Sequence, residues 1–299
     1  MAKKVKSVTM FRNDFMNHPK QESDSENKGF KYSYTELDEH GNLILEEKYS
    51  ASGEIEEKEV YAFNAEGKLA EEISYLTDEE VAEHKTFEYN QDGMLVTAFK
   101  HYADGSRDKI KFEHDTKGNI ISKTTIDADE EVESKEVYEW NNKNIIKKSV
   151  FEYGELVQEE TNEFDERDNL VESTTWTNED GKSKTVNQYD DKNNLIKTLV
   201  YNNDDKLVSK TLYAYNESGK PVGAEYESVR RKSSTTIIYD EHGNAIEQTE
   251  FNGAGEINNQ ALRKFNEHNE VIETIVTVDQ HGMGLNQHYM LTYEYAYFD

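Results

Sequence analysis

Cysteine is absent from this chain of 299 residues, and with it go disulfides, thiolate nucleophiles and thiolate metal sites. Long apolar runs are missing as well. The opening stretch MAKKVKSVTMFRNDFMNHPKQ has the early lysines of a secretory signal but no apolar core behind them, and no later stretch is suited to span a bilayer. The expectation is cytoplasmic residence without membrane insertion, with export by a dedicated machine left open. Positive charge is scarce too: 34 Lys and Arg stand against 62 Asp and Glu, a formal net of −28. That field repels phosphate backbones, so nucleic acid is excluded as a partner class. It admits a basic protein partner, or serves only to keep a repetitive sheet protein soluble.

Apolar residues make up only 34% of the chain and charged residues 32%, a balance that leans toward disorder. Against it stand 19 Tyr, 12 Phe and 2 Trp, far too many rings for a solvated tail. A thin, aromatic-rich core spread along an extended body reconciles the two.

What is present in abundance is repetition. YDEHGNAIEQTEF, beginning at 239, restates LDEHGNLILEEKY at 37 and YDDKNNLIKTLVY at 189. Aligned on the residue that opens each turn, ten copies begin at 37, 63, 89, 114, 140, 164, 189, 215, 239 and 265, spaced 24 to 26 residues apart. A weaker turn falls midway, as in YSASGEI at 49, IDADEEV at 126 and FNGAGEI at 251. The unit is therefore a strand and a turn, twice per repeat, and evenly spaced turns imply antiparallel strands. Gly, or Asn and Asp in its place, accepts the left-handed backbone such turns need, and the preceding Asp or Asn can hold the turn shut through amides ahead of it. Alternation marks the strands: Leu170, Glu172, Thr174 and Trp176 share one face, with Val171, Ser173 and Thr175 opposite. The aromatics that precede the turns, Phe63, Tyr89, Trp140, Phe164, Tyr189, Tyr215, Tyr239 and Phe265, are expected to form ladders along the sheet.

The YD-x-x-G-N-L-I pulse, clearest at Tyr239 to Ile246 and Tyr189 to Ile196, resembles the YD repeat of the RHS family over roughly residues 30 to 275. That resemblance implies strands spiralling into a shell, with some members sitting on secretion machines or binding carbohydrate. The toxin and autoproteolytic regions of larger members are not recognisable here. The fold expected is all-β: tandem antiparallel hairpins in an extended, curved or spiralling open sheet. The chain divides into residues 1–30 as an N-terminal arm or cap, 31–275 as the repeat domain, and 276–299 as a C-terminal capping or interaction segment.

Three segments break the beat. Near the start, Lys3, Lys4 and Lys6 followed by Val8, Met10, Phe11, Phe15 and Met16 suit a capping element over the first sheet edge, or an arm for a partner. EYESVRRKSSTT, from 225, replaces the expected turn glycine with Val229, Arg230, Arg231 and Lys232, the basic cluster of an acidic chain. It reads either as a lengthened loop whose cations pair with neighbouring glutamates or as a docking loop for an acidic partner. The end of the chain carries Tyr289, Tyr293, Tyr295, Tyr297 and Phe298, a final cap or an interface rich in tyrosine.

Reactive constellations are hard to find. His40, His242, His268 and His281 fall in turns, but equivalent turns in adjacent repeats lie two strands apart, roughly 9 to 10 Å, too far for two imidazoles to share a zinc ion. Turns such as DADEE at 127 are rich in oxygen ligands without matching a calcium-binding EF-hand loop. There is no nucleophile elbow, P-loop or Rossmann glycine pattern. The expectation is a non-enzymatic protein-binding scaffold or adaptor, of a secretion, toxin or defence assembly, with no cofactor or metal. Its candidate partner-binding residues are Arg230, Arg231, Lys232, Tyr289, Tyr293, Tyr295 and Tyr297. Alternatives are a carbohydrate-binding module and an immunity protein with an acidic face.

Overall fold

A computed structural model describes residues 4–15, 28–77, 79–282 and 284–299; Lys3 and Met16 lie outside the described residues. The strands run β1 (Val5–Asp14), β2 (Phe30–Leu37), β3 (Leu43–Tyr49), β4 (Ile55–Phe63), β5 (Leu69–Tyr75), β6 (Val81–Tyr89), β7 (Leu95–His101) and β8 (Arg107–His114). They continue as β9 (Ile120–Ile126), β10 (Val132–Asn141), β11 (Asn144–Glu152), β12 (Glu155–Phe164), β13 (Leu170–Thr177), β14 (Gly181–Tyr189) and β15 (Leu195–Tyr201). The last seven are β16 (Leu207–Tyr215), β17 (Pro221–Ser228), β18 (Lys232–Tyr239), β19 (Ala245–Asn252), β20 (Ile257–Phe265), β21 (Val271–Val278) and β22 (Gln287–Tyr297). Each pairs antiparallel with the next in sequence.

The hairpin repeats are as the turns imply, but the sheet is not open. β1 pairs with β2 on one side and with β22 on the other, Thr9 facing both Tyr34 and Glu294, so the 22-stranded sheet closes into a barrel. Phe298 N donates to Lys4 O at 2.9 Å and Phe15 N to His288 O at 2.8 Å, sealing both ends of the seam. Closure removes the free edges that an open sheet would expose to aggregation. The first and last strands carry no YD pulse, and this is why the repeat alone suggests an open sheet.

Rows of paired residues drift from rim to rim. Thr35 faces Glu46, Glu46 faces Glu59, Glu59 faces Ser74 and Ser74 faces Glu83, so a row leaving β2 near its end reaches β6 near its beginning. Strands in a closed barrel must tilt in this way. With 22 strands at the usual spacing, the ring is roughly 35 to 45 Å across. It is thinly covered: the molecule exposes 19552 Å², against about 13,000 Å² for a compact protein of this length. Among the described residues, the buried apolar side chains are Ala98, Phe99 and Met290. Charged residues stand at mid-strand on both faces, as Glu47 facing Lys58 on one and Lys85 facing Lys100 on the other, so neither face is an uninterrupted apolar band of the kind that lipid requires.

Two devices hold the hairpins. At the turn 38–42, Asp38 Oδ1 accepts from His40 N and Asn42 N at 2.8 and 2.9 Å, and Asn42 Nδ2 donates to Asp38 Oδ2 at 2.8 Å. The same clasp recurs at Asp115, Asp165, Asp190 and Asp240. The left-handed position of the turn is Gly118 in one copy and Asp168, Asn193 or Asn269 in others, all at positive φ. The second device replaces the expected ring ladders. The hydroxyls of Tyr89, Tyr189, Tyr215 and Tyr239 donate to the carbonyls of Leu69, Leu170, Leu195 and Pro221 at 2.7 to 3.0 Å, and Trp140 Nε1 does the same to Ile120 O at 2.8 Å. Each ring spans to the neighbouring strand and ends on its backbone rather than on the next ring. Where Phe164 has no donor, Asn162 Nδ2 reaches Ile145 O instead, at 3.2 Å.

Candidate partner-binding rim

Hairpin connectivity gives the barrel two rims. The first carries the YD-like turns, such as 38–42 and 190–194, with the chain ends; the second carries the midway turns, such as 202–206, 228–231 and 252–256. The basic cluster lies on the second. Ser228 N donates to Arg231 O at 2.8 Å, and Ser228 Oγ accepts from Arg230 N and Arg231 N at 3.3 and 3.0 Å. This is a tight turn over Val229 and Arg230, not a lengthened loop. Neither residue has positive φ, so the turn needs no glycine, and Val229 is left 90% exposed at its tip.

Two of the three cations are neutralised by carboxylates. Arg231 pairs with Glu250, and Lys232 Nζ lies 2.7 Å from Glu227, which Lys210 also approaches at 3.5 Å. Hydrogen bonding from Lys232, with its charge and that of Lys210, holds the Glu227 carboxyl below its ordinary range. The Arg230 side chain makes no hydrogen bond or ion pair among the described residues. Beside it opens a notch of about 570 Å³ between three successive second-rim turns, lined by Arg230, Arg231, Lys232, His281 and the amides of Asn252 and Asn259, with Asp279 as its carboxylate. The backbone N–H of His281 donates to Asp279 Oδ1 at 2.8 Å, and its imidazole Nδ1 lies 3.6 Å from the same oxygen. Sequence reading located the arginines, and placed His281 in a turn without linking it to them, but did not single out Asn252, Asn259 or Asp279. Their signal was position: they belong to the next two hairpins on the same rim.

The C-terminal tyrosines lie elsewhere. All four sit on one face of β22, running from Tyr289 near the second rim to Tyr297 at the first. Tyr289 carries the Arg12 guanidinium 4.0 Å from its ring centroid, Tyr295 donates to Val271 O at 2.8 Å, and Tyr297 to Glu270 at 2.5 Å. Its hydrogen bond to Glu270 pushes the Tyr297 hydroxyl up to about 12. These rings hold the seam strand to its neighbours, and the structure does not gather them with the arginines into one site. Unanticipated from sequence is a pair of stacked imidazoles, His84 and His101, with centroids 4.6 Å apart and His84 Nε2 at 2.7 Å from Glu71.

A family profile described as "Uncharacterised protein" matches residues 171–297. No curated protein matches the sequence. Among solved structures, a chain of a Photorhabdus luminescens Tc holotoxin pore is similar over 91% of this chain and 16% of its own, with 11% identity and a TM-score of 0.43. A chain of a TcdB2–TccC3–Cdc42 complex is similar over 98% and 18%, with 11% identity and a TM-score of 0.41. A porin-like protein from Bacteroides uniformis is similar over 80% and 95%, with 9% identity and a TM-score of 0.34. The chain thus spans less than a fifth of the toxin chains it is similar to, and at these scores none of the likenesses assigns it a function.

Proposed function

We propose that this chain is a non-enzymatic scaffold that engages a protein partner on its second rim, with an acidic side chain of that partner placed at Arg230. A place in a secretion, toxin or defence assembly belongs to the same proposal. The observation that carries it is the unpaired Arg230 guanidinium at the mouth of a notch rich in donors, on a molecule whose net charge is −28. Arg231 and Lys232 each have a carboxylate partner within the protein, and Arg230 has none among the described residues. Left unpaired, Arg230 contributes little to the fold and remains free to form a charge-assisted hydrogen bond with a carboxylate.

The test uses Arg230→Glu in the full chain. Affinity capture from the native host, read by mass spectrometry, should lose a specific prey in the variant while the melting temperature stays unchanged, and the same prey should elute from the wild type at raised salt. An identical prey set in both proteins contradicts the reading. So does a loss of prey that tracks a loss of stability.

A further inference from the structure

Exposed large apolar side chains are divided unevenly between the two rims. At the first rim the turn tips are small or polar, as at Glu39 and His40 or at Glu166 and Arg167, and the exposed Ile121, Ile196, Ile238 and Ile272 lie within strands. At the second rim such side chains sit in the turns or within two residues of them. Four successive turns, 76–80, 102–106, 127–131 and 153–154, present Leu76, Val81, Tyr102, Val132, Tyr153 and Leu156. Leu76 is 58% exposed and Tyr153 73%, while the Tyr102 hydroxyl is tied to Asp108 and leaves its ring open to solvent. Apolar residues scattered singly over a surface carry no message, but a run of them does.

The hairpin tip at 153–154 is unfavourable to its own fold. Tyr153 stands at φ +47°, in the left-handed region that suits Gly or Asn and penalises a bulky side chain. Nothing local offsets this: among the described residues its ring and hydroxyl make no hydrogen bond or ring contact. Glu152 faces Glu155 directly across the hairpin, a like-charge pair that weakens it. In the adjoining turn Glu130 also has a left-handed backbone, at φ +67°, with its side chain in solvent. The two turns touch, Tyr153 N donating to Glu133 O at 2.8 Å. Local choices that act against the fold, gathered in one place, are the mark of a functional position.

Charge decides the occupant. The four turns contain no Lys or Arg, and among the described residues the carboxylates of Glu79, Asp129, Glu130, Glu131, Glu152 and Glu155 make no ion pair or hydrogen bond. The cations at their base are engaged, Lys100 with Glu83 at 3.1 Å and Arg107 over the Phe99 ring at 4.0 Å. We infer that the second rim from β5 to β12 docks a cationic amphipathic helix of a protein partner, with its apolar stripe on Leu76, Tyr102 and Tyr153 and its cations among the glutamates. An anionic bilayer is repelled by the same charges, and a second copy of this chain, itself at −28, brings too few cations. Successive second-rim turns are two strands apart, roughly 10 Å or slightly more on a tilted barrel. Residues one heptad apart on a helix are separated by about 10.5 Å, so one apolar side chain per heptad meets one turn. Arg230 lies three turns further round the rim, and this surface does not depend on the function proposed for that residue.

Fluorescence anisotropy of the full chain with a labelled helix of Leu and Lys, about 18 residues long with its leucines in one stripe, tests the inference. The peptide should bind with micromolar Kd at physiological salt, and a twin with Gln for Leu, equal in charge, should bind about tenfold more weakly or worse. Tyr153→Asn should weaken the Leu–Lys peptide by about fivefold or more, as loss of an interface ring does. Its melting temperature should hold or rise, because Asn accepts the left-handed backbone. Glu152→Gln with Glu155→Gln should likewise weaken binding without loss of stability, and Arg230→Glu should leave binding unchanged. Equal affinity for the two peptides overturns the inference, since that is attraction to net charge alone. So does failure to bind, undiminished binding by a folded Tyr153→Asn, or a melting temperature that falls in that variant. Sedimentation velocity of the chain alone adds one more contrary outcome: a dimer that Tyr153→Asn dissociates would assign the surface to a second copy.

Discussion

At the first rim the turns beginning at Asp165 and Asp190 are bonded to each other: Asn169 Nδ2 donates to Asn193 Oδ1 at 2.9 Å and Arg167 Nη1 to Asp190 O at 3.3 Å. At the second rim the turns beginning at Ser228 and Asn252 leave a notch between them. The contrast extends around the barrel. Lys68 reaches Gly93 O, Asn144 reaches Asp168, Lys220 reaches Gly243 O and Asn244 reaches Asn269, each bridging one first-rim turn to the next. On the second rim the turn lengths vary, as between the pair Tyr153 and Gly154 and the connection 279–286, and bridges between successive turns are fewer among the described residues: Lys182 N donates to Asn203 Oδ1, and His281 Nδ1 lies 3.9 Å from Glu256. The first rim is stitched turn to turn by side chains that differ from copy to copy. The other is free to vary, and its variation is where the notch arises.

The sharpest way to break this contrast is at the seam both rims share. Thr9→Pro removes a ladder donor between Tyr34 and Glu294 and should destabilise by several kcal/mol, on the order of 3 or more. Denaturant unfolding checks it, and a change below about 1 kcal/mol would mean that closure matters little.

Acid probes the first-rim clasps next. The carboxyls of Asp115, Asp165 and Asp190 are held below their ordinary range, foremost by the side-chain amides of Asn119, Asn169 and Asn194. A depressed folded pKa contributes stability that is complete above the unfolded value, about 3.9, and is lost as pH falls through the folded value. Burial pushes Glu136 upward, but hydrogen bonds from Lys148, Lys123 and Tyr138 outweigh it and hold that group at about 2, so its share is lost last. The melting temperature should therefore be flat above about pH 4.5 and fall below about pH 4. Asn already opens the equivalent turns at 64, 90 and 216, so Asp115→Asn, Asp165→Asn and Asp190→Asn together should flatten the acid limb while keeping the folded barrel at neutral pH.

Smaller effects sharpen the same picture. Tyr215→Phe deletes the hydroxyl bond to Leu195 O and should cost about 1 kcal/mol. Asn169→Ala, which cuts both a clasp and a bridge, should cost more than Asn203→Ala on the second rim by thermal melting. Smallest of all is Arg230→Glu, for which a stability change within about 0.5 kcal/mol is expected.

Much of this was legible in the sequence. Asp or Asn followed by Gly or Asn at fixed offset specifies a tight turn through its own side chain, and such chemistry is local. Closure is not local: Val5–Asp14 and Gln287–Tyr297 lie outside the beat, and nothing in either strand announces the other. The ring ladders failed for a related reason. Equal spacing brings Tyr189 and Tyr215 to equivalent places, but their hydroxyls find a backbone carbonyl nearer than the next ring. The candidate site was half visible, since Arg230, Arg231 and Lys232 stand out by charge, whereas which of them keeps a partner depends on Glu250 and Glu227, on the strands to either side.

Everything rests on β1 meeting β22, and the lack of native cysteine makes that contact measurable. Thr9→Cys with Glu294→Cys, oxidised at low protein concentration, should form one intramolecular disulfide in high yield, seen as a faster-migrating monomer that reverts on reduction. Free thiols, or disulfide-linked dimers whose yield rises with concentration, would show that the ring is open.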